Sequence, residues 1–119
     1  MVIPSAGTVV LVPFPFSDLS SSKLRPAVVL AKAGRGDWIL SQVTSNPYGD
    51  ASAIALGEAD FQEGTLRIRS YVRPGKLFTA NYYELFTSQA GTLTPESFQH
   101  IIESVVTILR SGLHPSESA

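Results

Sequence analysis

Along the first three quarters of the chain the apolar positions come in short blocks, and near the end they fall into one helical repeat. Residues 8–12 and 27–31 are β-branched and apolar runs, short enough to be buried strands. Pro13 and Pro15 stop the first run, and residues 18–23 read as an exposed, serine-rich loop. Ala33-Gly34-Arg35-Gly36-Asp37 is a turn signal between two strand-like runs, so it predicts a hairpin whose returning strand is 38–44. Asn46-Pro47-Tyr48-Gly49-Asp50 ends that strand. Residues 51–56 form a weaker strand, and 57–63 a polar connection or a short turn of helix. Leu66, Ile68, Ser70 and Val72 then alternate with Arg67, Arg69, Tyr71 and Arg73, the period of a half-buried strand. Pro74-Gly75 marks a turn, 76–79 another short strand and 83–88 a last one.

A helix begins at Thr94. A threonine N-cap, Pro95 at the first helical position and Glu96 in the first turn all suit a helix start. Phe98, Ile101, Ile102, Val105, Ile108 and Leu109 recur at helical spacing, and Gly112 closes the element. Phe98, Ile101, Ile102 and Val105 read as core. Many short strands with one packed helix predict a mainly β (α+β) fold, a small, strongly curved barrel with a C-terminal amphipathic helix. One domain over 1–112 and a disordered tail over 113–119 are expected.

Composition narrows the function less than the pattern does. Charged residues are 16% of the chain and apolar ones 44%, an ordinary globular balance. Nine Lys and Arg stand against ten Asp and Glu, so any polyanion must be met by a local patch rather than by bulk charge. Without cysteine there are no disulfides and no thiolate metal sites. No apolar run approaches the roughly 20 residues of a bilayer span. The first residues lack a secretory pattern, and the expected location is cytoplasmic. His100 falls on the helix and His114 in the tail, with no carboxylate or histidine at ligand spacing, so no metal and no cofactor are expected.

One ordered set of motifs is more specific. Gly7-Thr-Val-Val-Leu-Val-Pro-Phe-Pro-Phe-Ser-Asp-Leu is followed by Ser-Lys-Leu-Arg25-Pro26-Ala-Val-Val-Leu30. Downstream come Ser41-Gln-Val-Thr44-Ser, Ala59-Asp-Phe-Gln-Glu-Gly64 and Ser70-Tyr-Val-Arg-Pro-Gly-Lys-Leu-Phe-Thr79, then the amphipathic helix. In this order they resemble the MazF/PemK/Kid toxins of bacterial toxin–antitoxin pairs. The resemblance implies an SH3-like barrel, a homodimer, and metal-independent, sequence-specific cleavage of single-stranded RNA. It also implies an antitoxin protein that occupies the same groove, and it places the chemistry on Arg25 and Thr44.

Elementary geometry lets that pair meet. If Gly34-Arg35 is a two-residue turn, paired positions sum to 69 and Arg25 sits opposite Thr44, with Cβ atoms roughly 5 Å apart. A three-residue turn sets Ser45 there instead. A guanidinium fork matches phosphate oxygens, which makes this end of the hairpin a plausible phosphate site. Arginine is a poor general base at neutral pH, so electrostatic stabilisation is its firmer role. Arg67, Arg69, Tyr71 and Arg73, taken as one strand face, suit an RNA track of phosphate contacts and stacking, or simply a solvated face. Ser20, Ser21, Ser22 and Lys23 in the loop, with Gln42 and Ser45 on the hairpin, complete the RNA-binding candidates. Phe14, Phe16 and Trp38 fit core or dimer packing better than a groove. Two other readings stay open: a gyrase poison like CcdB, whose C-terminal Trp-Gly-Ile this chain lacks, and an inactive binding module that kept the barrel.

Overall fold

A computed structural model of the chain describes residues 4–14, 23–81 and 88–114. Seven strands form one antiparallel sheet: β1 (Thr8–Phe14), β2 (Lys23–Gly34), β3 (Asp37–Thr44), β4 (Ile54–Leu56), β5 (Phe61–Gly64), β6 (Ser70–Asn81) and β7 (Ser88–Leu93). A 3-10 turn, Glu58–Asp60, precedes β5, and the helix α1 (Pro95–Ser111) follows β7. The spatial order is β4-β6-β3-β2-β1-β7-β5, with β4 and β5 at opposite edges, so the sheet curls into a half-barrel.

Strand alternation splits the apolar side chains into two layers. Val9, Val28, Val43, Val72 and Leu93 meet Ile101 and Val105 of α1 on one face. Val10, Val12, Ala27, Val29, Trp38 and Leu40 pack together on the other. Because β1, β2 and β3 are buried on both faces, they read as continuous apolar runs rather than as alternation. Gly7 fastens the first layer: at φ +92° its N–H donates to Val29 O and its carbonyl accepts from Leu93 N–H, both at 2.9 Å.

The helix starts as the sequence requires. Thr94 Oγ1 accepts from Ser97 N–H at 3.2 Å, Pro95 opens the first turn, and Ile101 is fully buried. Asp60 ties the preceding turn to it, with Oδ1 accepting from Ser97 Oγ at 2.5 Å. Leu109, placed on the apolar stripe by its spacing, is instead largely exposed. Only residues 113 and 114 of the expected tail are described.

Three expectations about the strands and turns need correction, and one lies largely outside the described residues. The strand expected over 66–72 begins only at Ser70, and Ser70 Oγ bonds back to Ile68 O at 2.7 Å, a local turn that competes with pairing. Pro74-Gly75 is no turn; β6 runs through it as a bulge, where residues 73–76 face Gln42 alone. Proline is tolerated there because a bulge requires no ladder donor. The strand expected over 83–88 lies, except for Ser88, outside the described residues; the last strand among them is Ser88–Leu93, a sequence poor in strand formers. The hairpin turn is Arg35-Gly36, both at positive φ, with Gly34 opposite Asp37.

Candidate functional site

At one end of the sheet, neighbouring strands line up polar side chains. Arg25 of β2 pairs with Val12 of β1, and Thr44 of β3 pairs with Tyr71 of β6. In the β2–β3 ladder, two one-residue bulges, at Leu30 and Ala33, shift the pairing from a sum of 71 at the turn to 69 at Ala27↔Gln42. The paired positions stop at Ala27↔Gln42; carried two residues further, the same sum would set Arg25 opposite Thr44, and both residues line one cleft. Alternation puts Arg25 on the face of Val12, Ala27 and Val29, and Thr44 on the face of Leu40, so both project on the second-layer side. Thr44 and Tyr71 are cross-strand partners about 5 Å apart, Arg25 stands on the same face of the next strand, and Gln42 is the preceding residue of that face on β3.

A cleft of about 270 Å³ opens at this end of the sheet; Arg25 and Thr44 border it, while Val43 and Leu66 in its wall pack on the first layer, so it extends to the side opposite the row. Leu11, Leu24, Pro26, Val43, Leu66 and Ile68 give it apolar walls; Arg25, Thr44, Ser45, Arg67 and Ser70 supply its polar part. Leu24 and Ile68 are 51% and 67% exposed, so the wall stands open to an incoming ligand. The Thr44 hydroxyl is already engaged: Oγ1 donates to Asn46 O at 3.0 Å and accepts from Asn46 N–H at 3.1 Å. To serve a substrate it must exchange the first of these bonds.

Residues 45–53 carry the chain from β3 to β4, which flank β6 on opposite sides, so this loop crosses β6. Arg73 pins the crossing. Its Nε donates to Asp50 Oδ2 at 3.0 Å, and its guanidinium lies 5.6 Å from the centre of the Tyr48 ring. Asp50 Oδ1 accepts from Ser52 N–H at 2.9 Å, and Asn46 Oδ1 accepts from Tyr48 N–H at 2.9 Å. The Arg73 guanidinium, then the Ser52 N–H, hold the Asp50 carboxyl below the usual carboxylate range. Tyr48 sits at φ +55° with its side chain 69% exposed. A left-handed non-glycine residue costs of order 1–3 kcal/mol. An exposed cation–π contact contributes only about 0.5–1 kcal/mol. The contact with Arg73 alone does not offset the strain.

A second hollow, about 240 Å³, lies between β4 and the start of α1 and includes Asp60, Glu96 and His100. Among the described residues no group of three or more His, Cys, Asp or Glu is placed to hold a metal ion. None of their helices is long and apolar enough to cross a membrane.

No protein-family model matches the chain, and no characterised protein matches it in sequence. Solved structures do match in shape. MazF of Deinococcus radiodurans superposes with a TM-score of 0.69 over 92% of this chain and 98% of that one, at 19% identity. The chain has the MazF fold. A MazE–MazF complex of the same organism gives 0.70 over 91% and 97%, at 18% identity. A mycobacterial endoribonuclease bound to its cognate antitoxin gives 0.69 over 90% and 95%, also at 18%.

Within this MazF-like frame the residues singled out from sequence separate. Arg25, Gln42, Thr44 and Tyr71 share one face, while Ser45 and Arg67 line the cleft. The expected single face of Arg67, Arg69, Tyr71 and Arg73 does not form, because 65–69 is irregular and only Tyr71 and Arg73 belong to β6. Arg69 is exposed outside the cleft lining, and Arg73 is committed to Asp50 and Tyr48. Ser20, Ser21, Ser22 and Phe16 lie outside the described residues; Lys23 opens β2, and only its backbone is described. Trp38 is core, as expected, and His100 is exposed on α1. Sequence reasoning passed over Tyr48 and Asp50. The turn signal located both, but nothing in it shows that they meet Arg73, which follows Asp50 by 23 positions.

Proposed function

We propose that the chain is a sequence-specific, metal-independent endoribonuclease that cleaves single-stranded RNA and is the toxin of a pair neutralised by an antitoxin protein. The observation that supports this best is the row of Arg25, Thr44 and Tyr71 on a MazF fold, beside an open cleft. Structural neighbours described as an endoribonuclease with its antitoxin and as a MazE–MazF complex support the activity and the partner. A homodimer in the cytoplasm completes the reading.

The chemistry follows from what the residues can supply. The 2′-oxygen attacks the adjacent phosphorus as its proton leaves, the P–O5′ bond breaks, and O5′ takes up a proton. The products are a 2′,3′-cyclic phosphate and a 5′-hydroxyl. The described lining of the cleft offers a metal no carboxylate or imidazole. Charge on the pentacoordinate phosphorane therefore falls to guanidinium groups, with Arg25 in the row and Arg67 at the cleft. Arg25 acts by holding charge. Thr44 positions the loop through Asn46, and Ser45 and Gln42 contribute exchangeable hydrogen bonds to the strand.

Incubation with a mixed single-stranded RNA pool in a chelator, followed by mapping of cut ends, tests this. Cuts at one recurring short motif with cyclic-phosphate and 5′-hydroxyl ends are expected. Arg25→Ala should lower the rate by about 10²–10³, the effect of removing one charge-stabilising donor. Cutting only after metal is added, or near-native turnover by Arg25→Ala, would refute the proposal.

A further inference from the structure

The geometry points to Tyr48 as a stacking platform for one nucleobase of the RNA strand, beside the nucleotide being cut. This rests on the reading of the chain as an RNA-cleaving enzyme and adds a positioning residue to it. Tyr48 is the one aromatic ring among the large exposed apolar side chains of the described residues. One side of it is covered by the Arg73 guanidinium, which Asp50 holds in place. Most of the ring remains open to solvent.

Position supports the same use. Val72 belongs to the first layer, so Tyr71 and Arg73 project on the opposite face, where Arg25 and Thr44 also stand. Tyr48, packed on Arg73, is thus on the face of the row. It lies four positions after Thr44, and at no more than about 3.6 Å per step the two Cα atoms lie within about 14 Å. A nucleotide next to one held at Arg25 and Thr44 is within that reach. The backbone there would be relaxed by glycine, yet the position carries a bulky ring that covers little of the protein. Bases stack on such rings with little regard to identity, and a cation beneath the ring adds to the attraction. Tyr48 would therefore set the strand's path, leaving base identity to other contacts.

The test measures binding in the Arg25→Ala background, so that RNA stays intact. A labelled single-stranded oligonucleotide carrying the mapped motif is titrated by fluorescence anisotropy, with an abasic site moved along it. One abasic position should weaken binding about 5- to 100-fold when Tyr48 is present. In Tyr48→Gly, which suits the left-handed backbone, the same abasic site should cost less than about twofold, and Tyr48→Phe should bind like the parent. Equal abasic penalties with and without Tyr48, or unaltered binding by Tyr48→Gly, would overturn the platform. Should Tyr48→Gly melt early, Tyr48→Trp decides: RNA should quench the new, exposed tryptophan, and an unchanged signal overturns the platform. Native protein that neither binds nor cuts RNA sinks the enzyme reading; native cutting with an indifferent Tyr48 sinks the platform alone.

Discussion

Ile101→Ala and Leu109→Ala delete apolar side chains from one helix, and the structure separates their consequences. Ile101 is fully buried against Val9, Val28 and Val72, whereas Leu109 is 64% exposed. Removing three carbon groups from Ile101 forfeits about 2.4 kcal/mol of transfer free energy at about 0.8 kcal/mol each. An unrelaxed cavity of roughly 75 Å³ adds up to about 1.8 kcal/mol at about 24 cal/mol per Å³. The expected loss is therefore about 2.5–4 kcal/mol, or a melting temperature lower by roughly 10–15 °C for a chain of this size. Leu109→Ala loses little burial and gains helix propensity, so it should stay within about 0.5 kcal/mol of the parent. Urea titration followed by the fluorescence of Trp38, with circular dichroism as a second probe of two-state behaviour, reads both. A cost under about 1 kcal/mol for Ile101→Ala, or equal costs for the two, would refute the packing of α1 described here.

The Asp50–Arg73 bridge predicts a pH dependence. The folded carboxyl titrates below its unfolded value, so its contribution is complete above the unfolded value and disappears as pH falls through the folded one. The midpoint difference between the native chain and Asp50→Asn should be largest near neutrality and shrink below about pH 4; a difference independent of pH would refute the assignment. Charge reversal at Arg67, at the cleft, should weaken RNA binding and flatten its salt dependence by about 0.7 in log–log slope per lost phosphate contact, while the same change at Arg69 should do less. Arg73→Glu should instead lower the melting temperature, because its partners are Asp50 and Tyr48; a melting curve like the parent's, with a loss of RNA affinity alone, would return Arg73 to the RNA track.

Local pattern made the hairpin, the helix and the residues facing each other near Arg25 legible. The helix start could be read because Thr94, Pro95 and Glu96 act within one turn. The sum of 69 holds in the ladder as far as Ala27↔Gln42, for a different reason: the turn lies one residue later than expected, and two bulges restore it. What stayed hidden depends on distant partners. β7 contains Ala90 and Gly91, which propensity disfavours in a strand. A Cβ at Gly91 would stand 2.5 Å from Glu63 O, so the pairing with β5 demands the glycine. Proline in β6 is likewise acceptable only because of the bulge facing Gln42, and the role of Arg73 depends on a loop more than twenty positions earlier. Of the site, the guanidinium and hydroxyl were visible and the crossing loop was not.

The two bulges in β2 have an architectural consequence. Each inserts one residue between the hairpin tip and the ladder that holds Arg25, and the tip is separately tied down where Asn81 Nδ2 donates to Asp37 Oδ1 at 3.2 Å. Counting errors at the tip can therefore be absorbed before they reach the far end of the hairpin. The tip is insulated from the business end, much as a slack coupling spares a shaft. Residues 34–37 are thus where length can vary, or a tag or label be inserted, while the partner facing Arg25 stays the same.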